Sequence, residues 1–240
     1  MMRRLLSALI LLLFSSGLFS CAALQSQGST QEAEARYKIG VAYLNEKKIQ
    51  QAFLEFQHAH DLNPNNKEVL NALGIIYLLH FDETTKSIDY FQKAVRVDPS
   101  YSEALNNLGY AHEKLGRFAD AIPYYKRAVT NLMYATPENA YVNMGNAYYR
   151  LGKYEEAATA YKEALKRAPA LIPAHMKLAL CYNAMGRYGD ASAAMTNAID
   201  IDPRYKGNQK AAHEDLLERK LTATGYEQKD IADLLEILKY

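Results

Sequence analysis

Six histidines and two cysteines are the side chains able to hold a metal ion or attack a substrate in this 240-residue chain. A transition-metal site needs three or four such ligands converging, often two of them a helical turn apart. His58 and His60 are two residues apart and would point different ways on a helix. His112 is followed by Glu113 but has no second histidine at ligand spacing, and no cysteine pair occurs. His175 lies in a segment of helical apolar spacing, where a packed or solvated ring is expected. The chain has no Gly-x-Ser-x-Gly elbow, phosphate loop or dinucleotide fingerprint, and its acidic residues are scattered over helix surfaces. Neither an enzyme nor a cofactor, a metal or a small-molecule substrate is therefore expected. Of the two thiols, Cys181 falls in a slot otherwise held by Ala42, Ile76, Ala111 and Ala147, which predicts an inert core residue.

Cys21 is the exception. It follows a basic start at Arg3 and Arg4 and an apolar run from Leu5 to Phe14, shorter than the roughly 20 residues a spanning helix needs. Such a run fits the apolar region of an export signal. Leu18-Phe19-Ser20-Cys21 resembles a bacterial lipobox, with leucine three before the cysteine and a small residue directly before it. That resemblance implies cleavage between Ser20 and Cys21 and acylation of Cys21 with palmitate-like chains. Several acyl chains anchor firmly, since each buried methylene contributes about 0.8 kcal/mol. Ala22, rather than aspartate, follows the cysteine, which by analogy favours the outer membrane facing the periplasm. Residues 1–20 thus read as a lipoprotein signal and 21–32 as a lipidated, small and polar tether. Without Arg3 and Arg4 the remaining 26 basic residues face 27 acidic ones. That balance offers no clustered basic face for nucleic acid.

What positions the rest is a period of about 34 residues. Gly40, Gly74, Gly109 and Gly145 recur in phase, with Ala179 in the fifth place. Tyr43, Tyr77, His112, Tyr148 and Tyr182 follow three residues later. Small residues at Ala52, Ser87, Ala121, Ala157 and Ala191 precede Phe56, Phe91, Tyr125, Tyr161 and Met195 by four. A second alanine comes three after each of those, and Pro64, Pro99, Pro169 and Pro203 close four of the units. The pattern resembles the tetratricopeptide repeat. Two antiparallel helices approach closely only where one side chain is tiny, and a large residue then fills the adjacent space. Proline ends the second helix, and stacking buries the apolar face that one hairpin cannot bury alone. The expected fold is an all-α solenoid with repeats at about 33–66, 67–101, 102–137, 138–171 and 172–205. Residues 206–240 keep helical spacing but lose the markers, with His213 in the glycine slot and Gly225 in a turn. They read as a degenerate hairpin capping the stack.

Function in such folds usually lies on the concave strip of the first helices. Helix positions two, five, six, nine, twelve and thirteen place Tyr37, Val41 and Leu44 there in the first repeat. The second contributes Asn71, Ile75, Leu78 and Leu79. The third and fourth contribute Asn106, Asn107, Tyr110, Asn143, Asn146 and Tyr149. The strip starts apolar, as a helix or hydrophobic peptide would require, and turns amide- and tyrosine-rich. Asparagines can pair with donors and acceptors of a ligand backbone without reading its sequence. The other fate open to Ile75, Leu78 and Leu79 is packing against the N-terminal segment or a nearby loop. Tyr37, Val41, Asn71 and Asn106 occupy slots where chaperone-binding repeats clamp a carboxylate with Lys or Arg, so that specificity is not expected.

A lipobox followed by these units is similar in layout to the pilotin family of type IV pilus systems (PilF, PilW and Tgl). The likeness is most specific over Met133 to Tyr149, where an aromatic residue and Pro137 precede Ala140, Asn143 and Gly145. The family often has proline directly after that tyrosine, whereas Ala135 stands here. The resemblance implies an outer-membrane lipoprotein that helps the pilus secretin reach that membrane and multimerise. An adaptor of the same layout for outer-membrane protein assembly or a peptidoglycan hydrolase is the other reading. Within that segment the spacing from Gly109 to Gly145 shows a junction two residues longer than the period. Thr136, Pro137 and Glu138 read as the N-cap and first turn of a new helix. Leu132, Met133 and Tyr134 are expected to extend the previous helix or fill the joint.

Overall fold

The computed structural model describes residues 28–240, and the leader, Cys21 and most of the expected tether lie outside the described residues. All the regular structure of the described residues is helical. Helix α1 covers residues 28–45 and α2 Ile49–Leu62. They are followed by α3 (Lys67–Leu79) and α4 (Thr84–Val97). Then come α5 (Ser102–Lys114), α6 (Phe118–Thr130), α7 (Pro137–Arg150) and α8 (Tyr154–Arg167). The chain ends with α9 (Ile172–Ala184), α10 (Tyr188–Ile201), α11 (Gln209–Lys220) and α12 (Gly225–Ile237). Residues 28–32, expected to belong to the tether, are helical and extend α1 backwards. Their sequence contains no proline or glycine after Gly28 to stop the helix.

The described residues form two compact units, one ending at Pro99 and one starting at Ser100. In each, the repeated glycine has the expected physical cause. A Cβ on Gly74 would lie 2.5 Å from the Phe91 ring, and one on Gly145 would lie 2.7 Å from the Tyr161 ring. Both rings are completely buried, so the first helix of each hairpin must present bare backbone to them. In the fifth hairpin Met195 replaces the ring, and an alanine, Ala179, is accommodated at the crossing. A thioether chain adapts to a methyl group where a rigid ring does not.

In the first unit, α3 packs on α2 and α4 around Phe56, Val69, Leu73 and Ile76. Phe53, Tyr77 and Phe81 meet edge to face at 5.0–5.6 Å, a favoured aromatic geometry. The second unit stacks α5 to α10 pairwise in sequence order. Its largest core runs from Tyr161 and Leu180 to Leu216, Ile231 and Ile237, so the C-terminal helices share the core of the last repeats.

The long junction between α6 and α7 departs from expectation. α6 stops at Thr130, and residues 131–136 are not helical. The Asn131 side chain accepts from the Met133 N–H at 3.0 Å and donates to the Ser100 carbonyl at 3.3 Å, replacing the helix by a side-chain turn. Tyr134 turns inward and fills the joint, whereas Leu132 and Met133 stand 97% and 89% exposed. Thr136 does sit at the N-cap before Pro137 but makes no capping bond, since its hydroxyl pairs with the Tyr134 phenol.

Candidate partner-binding surface

In the first unit, only part of the expected strip offers surface. Tyr37, Val41 and Leu44 are half-buried and pack against the core formed with α3. The Tyr37 ring lies 5.7 Å from Phe56, so it belongs as much to the hairpin as to the strip. Asn71 is buried, and Leu78, 3% exposed, is a core residue rather than a contact. Ile75 is half-buried, while Leu79 is 55% exposed at the end of α3. The open apolar surface here therefore narrows to Ile75 and Leu79.

The second unit corrects the expectation more sharply, because several amides are already engaged. Asn143 donates to Asn106 at 3.1 Å, tying α7 to α5 along the strip. Asn146 accepts from the Tyr161 hydroxyl at 2.8 Å. These bonds satisfy polar groups that burial would otherwise strand, so the amide pattern is partly structural. Asn107 is half-buried and Tyr110 is exposed. Tyr149 is buried, its hydroxyl pushed up by burial and by the neighbouring Asp230 carboxylate.

That carboxylate belongs to α12 and is the centre of a cluster the sequence did not disclose. Asp230, buried, accepts from both Arg150 guanidinium nitrogens at 3.1 and 2.8 Å and from the Lys177 ammonium at 2.6 Å. Burial opposes its charge, but the two cations overcome that and hold its carboxyl below the ordinary value. The Arg150 guanidinium also lies 4.4 Å from the centre of the Tyr226 ring and 5.4 Å from that of Tyr149. Tyr240, just past α12, donates to Asn183 at 3.3 Å. Arg150, Lys177 and Asn183 stand at helix positions thirteen, six and twelve of repeats four and five. In the same register as the candidate strip, α12 lies along it. The missed signal was Arg150 and Lys177 themselves, two cations at strip positions of adjacent repeats.

One more charged group faces this strip. Glu113, near the end of α5, accepts from the Tyr125 hydroxyl, and burial pushes its carboxyl up to about 7. The remaining candidate groups are packed rather than poised. Burial pushes the Cys181 thiol up to about 12, away from the thiolate form. Both ring nitrogens of His112 are buried and lack a hydrogen-bond partner, its ring stacked on Tyr124 at 5.3 Å. His175 meets the Pro169 carbonyl at 2.8 Å. Among the described residues no group of His, Cys, Asp and Glu could hold a metal ion. No described helix is long and apolar enough to cross a membrane.

Family models described as tetratricopeptide repeat match residues 33–66 and 172–205, 82–140, and 138–171. Among curated proteins, anaphase-promoting complex subunit 6 of Arabidopsis thaliana is 31% identical over 97 residues, covering 38% of this chain and 18% of its own. Photosystem I assembly protein Ycf3 of Synechococcus sp. (strain CC9605) is 29% identical over 94 residues, covering 38% of this chain and 54% of its own. The match thus spans about half or less of these relatives. Among solved structures, PilW, described as a widely conserved type IV pilus biogenesis factor, superposes with a TM-score of 0.66 at 21% identity. It covers 83% of this chain and 98% of PilW. Pseudomonas aeruginosa PilF gives 0.69 at 16% identity, over 86% of this chain and 90% of its own. Both are likenesses of fold.

Proposed function

Because the chain belongs to the tetratricopeptide-repeat family, we propose that it is a scaffold that binds a protein partner along its first helices. The observation that carries this reading is Leu79, more than half exposed beside Ile75 on the face such scaffolds use. Covering the exposed half of Leu79 contributes about 1–1.5 kcal/mol toward holding a short apolar segment. The partner proposed is the secretin of a type IV pilus system, with the scaffold tethered through acylated Cys21 to the periplasmic face of the outer membrane. Support for the tether comes from the leader ending Leu18-Phe19-Ser20-Cys21. Support for the secretin comes from the pilotin-like segment Met133 to Tyr149 and from the shared fold of PilW and PilF.

The test is affinity capture from detergent-solubilised membranes, with Cys21→Ala in parallel. The expected result is capture of the secretin by the native chain, release of the variant from the membrane fraction, and loss of heat-resistant secretin multimers when the gene is deleted. Unchanged multimers in the deletion strain would sink the pilotin reading. Recovery of a barrel-assembly component or a cell-wall hydrolase instead would move the assignment to the adaptor.

A further inference from the structure

The C-terminal helix α12 is held on its strip by ion pairs rather than by a ring pressed on glycine. In the first four hairpins a ring presses against bare backbone at the helix crossing. Beside α12 opens a cleft of about 660 Å³ whose lining joins Met176 and Leu180 to Arg204, Arg219 and Glu227. The cleft falls in the range that holds small organic ligands or several side chains. The hairpin that carries α12 is also thinly held, because α11 buries only Ala212 and Leu216. Elements with few buried apolar contacts open locally before the rest of a domain.

What holds α12 is its pattern of side chains. Tyr226 and Asp230 are one turn apart, and Ile231, Leu234 and Leu235 form the buried stripe. Facing them, α7 and α9 supply two cations against one shared carboxylate. With α12 in place Arg150 and Lys177 lie mostly out of water, and its departure removes the carboxylate they share. Two neighbouring cations left without their shared partner favour an incoming carboxylate of suitable reach.

We propose that the strip formed by α7 and α9 is a receptor for an acidic amphipathic helix, that α12 is its resident occupant, and that a partner helix of the same pattern displaces it. The pattern is an aromatic residue, an acidic residue one turn later, and apolar residues one, four and five positions beyond. The thin burial of α11 lets the hairpin open and makes the resident helix replaceable, while its tether gives it a high effective concentration. Partner binding is thereby restricted to helices that match the cations better than α12 does. This deepens the protein-binding reading above and rests on it.

The experiment uses the full chain and a fluorescein-labelled synthetic peptide with the sequence Thr224–Tyr240 as probe. The native chain is expected to bind it weakly. Asp230→Asn in the chain loosens the resident helix and leaves the strip intact, so affinity for the native peptide is expected to rise at least tenfold. Tyr226→Ala, at an exposed residue, is a milder second variant expected to raise it about threefold. A peptide carrying Asp230→Asn is expected to bind at least tenfold more weakly than the native peptide to either chain variant. Hydrogen exchange is expected to show the amides of α12 opening faster than those of α9 in the native chain, and faster still in Asp230→Asn. Equal peptide affinity for native and variant chains, with α12 as protected as α9, would overturn the proposal. So would a variant that dimerises without peptide, which would make a second copy the occupant. Secretin capture lost with Leu79→Lys, together with equal peptide affinity for the native and Asp230→Asn chains, would leave the scaffold reading standing while this inference fails.

Discussion

The strip on α3 and the strip on α7 and α9 rest on the same kind of close helix crossing, at Gly74, Gly145 and Ala179, but present opposite chemistry to a ligand. Ile75 and Leu79 offer hydrocarbon, which recognises a partner by excluding water and reads little beyond size. Arg150 and Lys177, paired with Asp230, set charge in a partly buried place, where matching is strict because an unmatched ion is costly. The contrast teaches that the repeat fixes where a surface is, while the residues at a few strip positions decide what it accepts.

The largest expected effect tests whether the scaffold is the same on both sides of the comparison. Gly74→Val and Gly145→Val each drive a branched side chain into a fully buried ring. Overpacking of that kind costs about 3 kcal/mol. Chemical denaturation should show a similar loss for both variants, with no change in the charge-dependent behaviour of the second unit. A loss confined to one of them would break the claim of a common crossing.

A smaller effect separates the strips by pH. Glu113 has a folded-state value of about 7 against an ordinary 4.5, because burial disfavours its charge. Between these values the folded chain binds more proton than the unfolded chain, so this group's contribution is fully present below pH 4.5. It is lost as pH rises through 7. The native chain should therefore gain about 1–2 kcal/mol relative to Glu113→Gln on going from pH 8 to pH 5. Asp230 works with the opposite sign, its stabilisation fading as acid protonates it. Subtracting the Glu113→Gln curve isolates Glu113, because Asp230 is common to both chains. A flat difference across that window would remove the distinction between the strips.

The features legible in sequence were those that repeat. Gly40, Gly74, Gly109 and Gly145 and their facing rings recur because close approach leaves one solution, so period alone revealed the hairpins. The candidate strip was legible only as positions. Leu78 and Tyr149 proved buried and Asn143 and Asn106 bonded to each other, because burial and pairing depend on what lies across the strip. Asp230 and Arg150 are 80 residues apart, in segments of different character, and no local pattern links them. Likewise Thr136 was recognisable as a helix start, but the competing Tyr134 phenol became visible only once the joint had closed. Tertiary partners override local preference where a side chain has two hydrogen-bonding choices.

The smallest effect on stability should carry the clearest effect on recognition. Leu79 is 55% exposed at the end of α3, so Leu79→Ser removes little packing and should change stability by no more than about 0.5 kcal/mol. If the apolar strip anchors a partner, the same change exposes a hydroxyl where the partner expects hydrocarbon and should weaken capture at least tenfold. Raising the salt concentration should leave that difference in place, since burial of hydrocarbon is not screened. A binding contribution centred on Arg150 and Lys177 is expected to shrink as salt rises, because ion pairing at partly exposed cations is screened. Measuring capture by native chain and Leu79→Ser at low and high salt therefore assigns the anchoring to one strip or the other. Loss of the Leu79 effect at high salt would place the recognition on the charged strip alone.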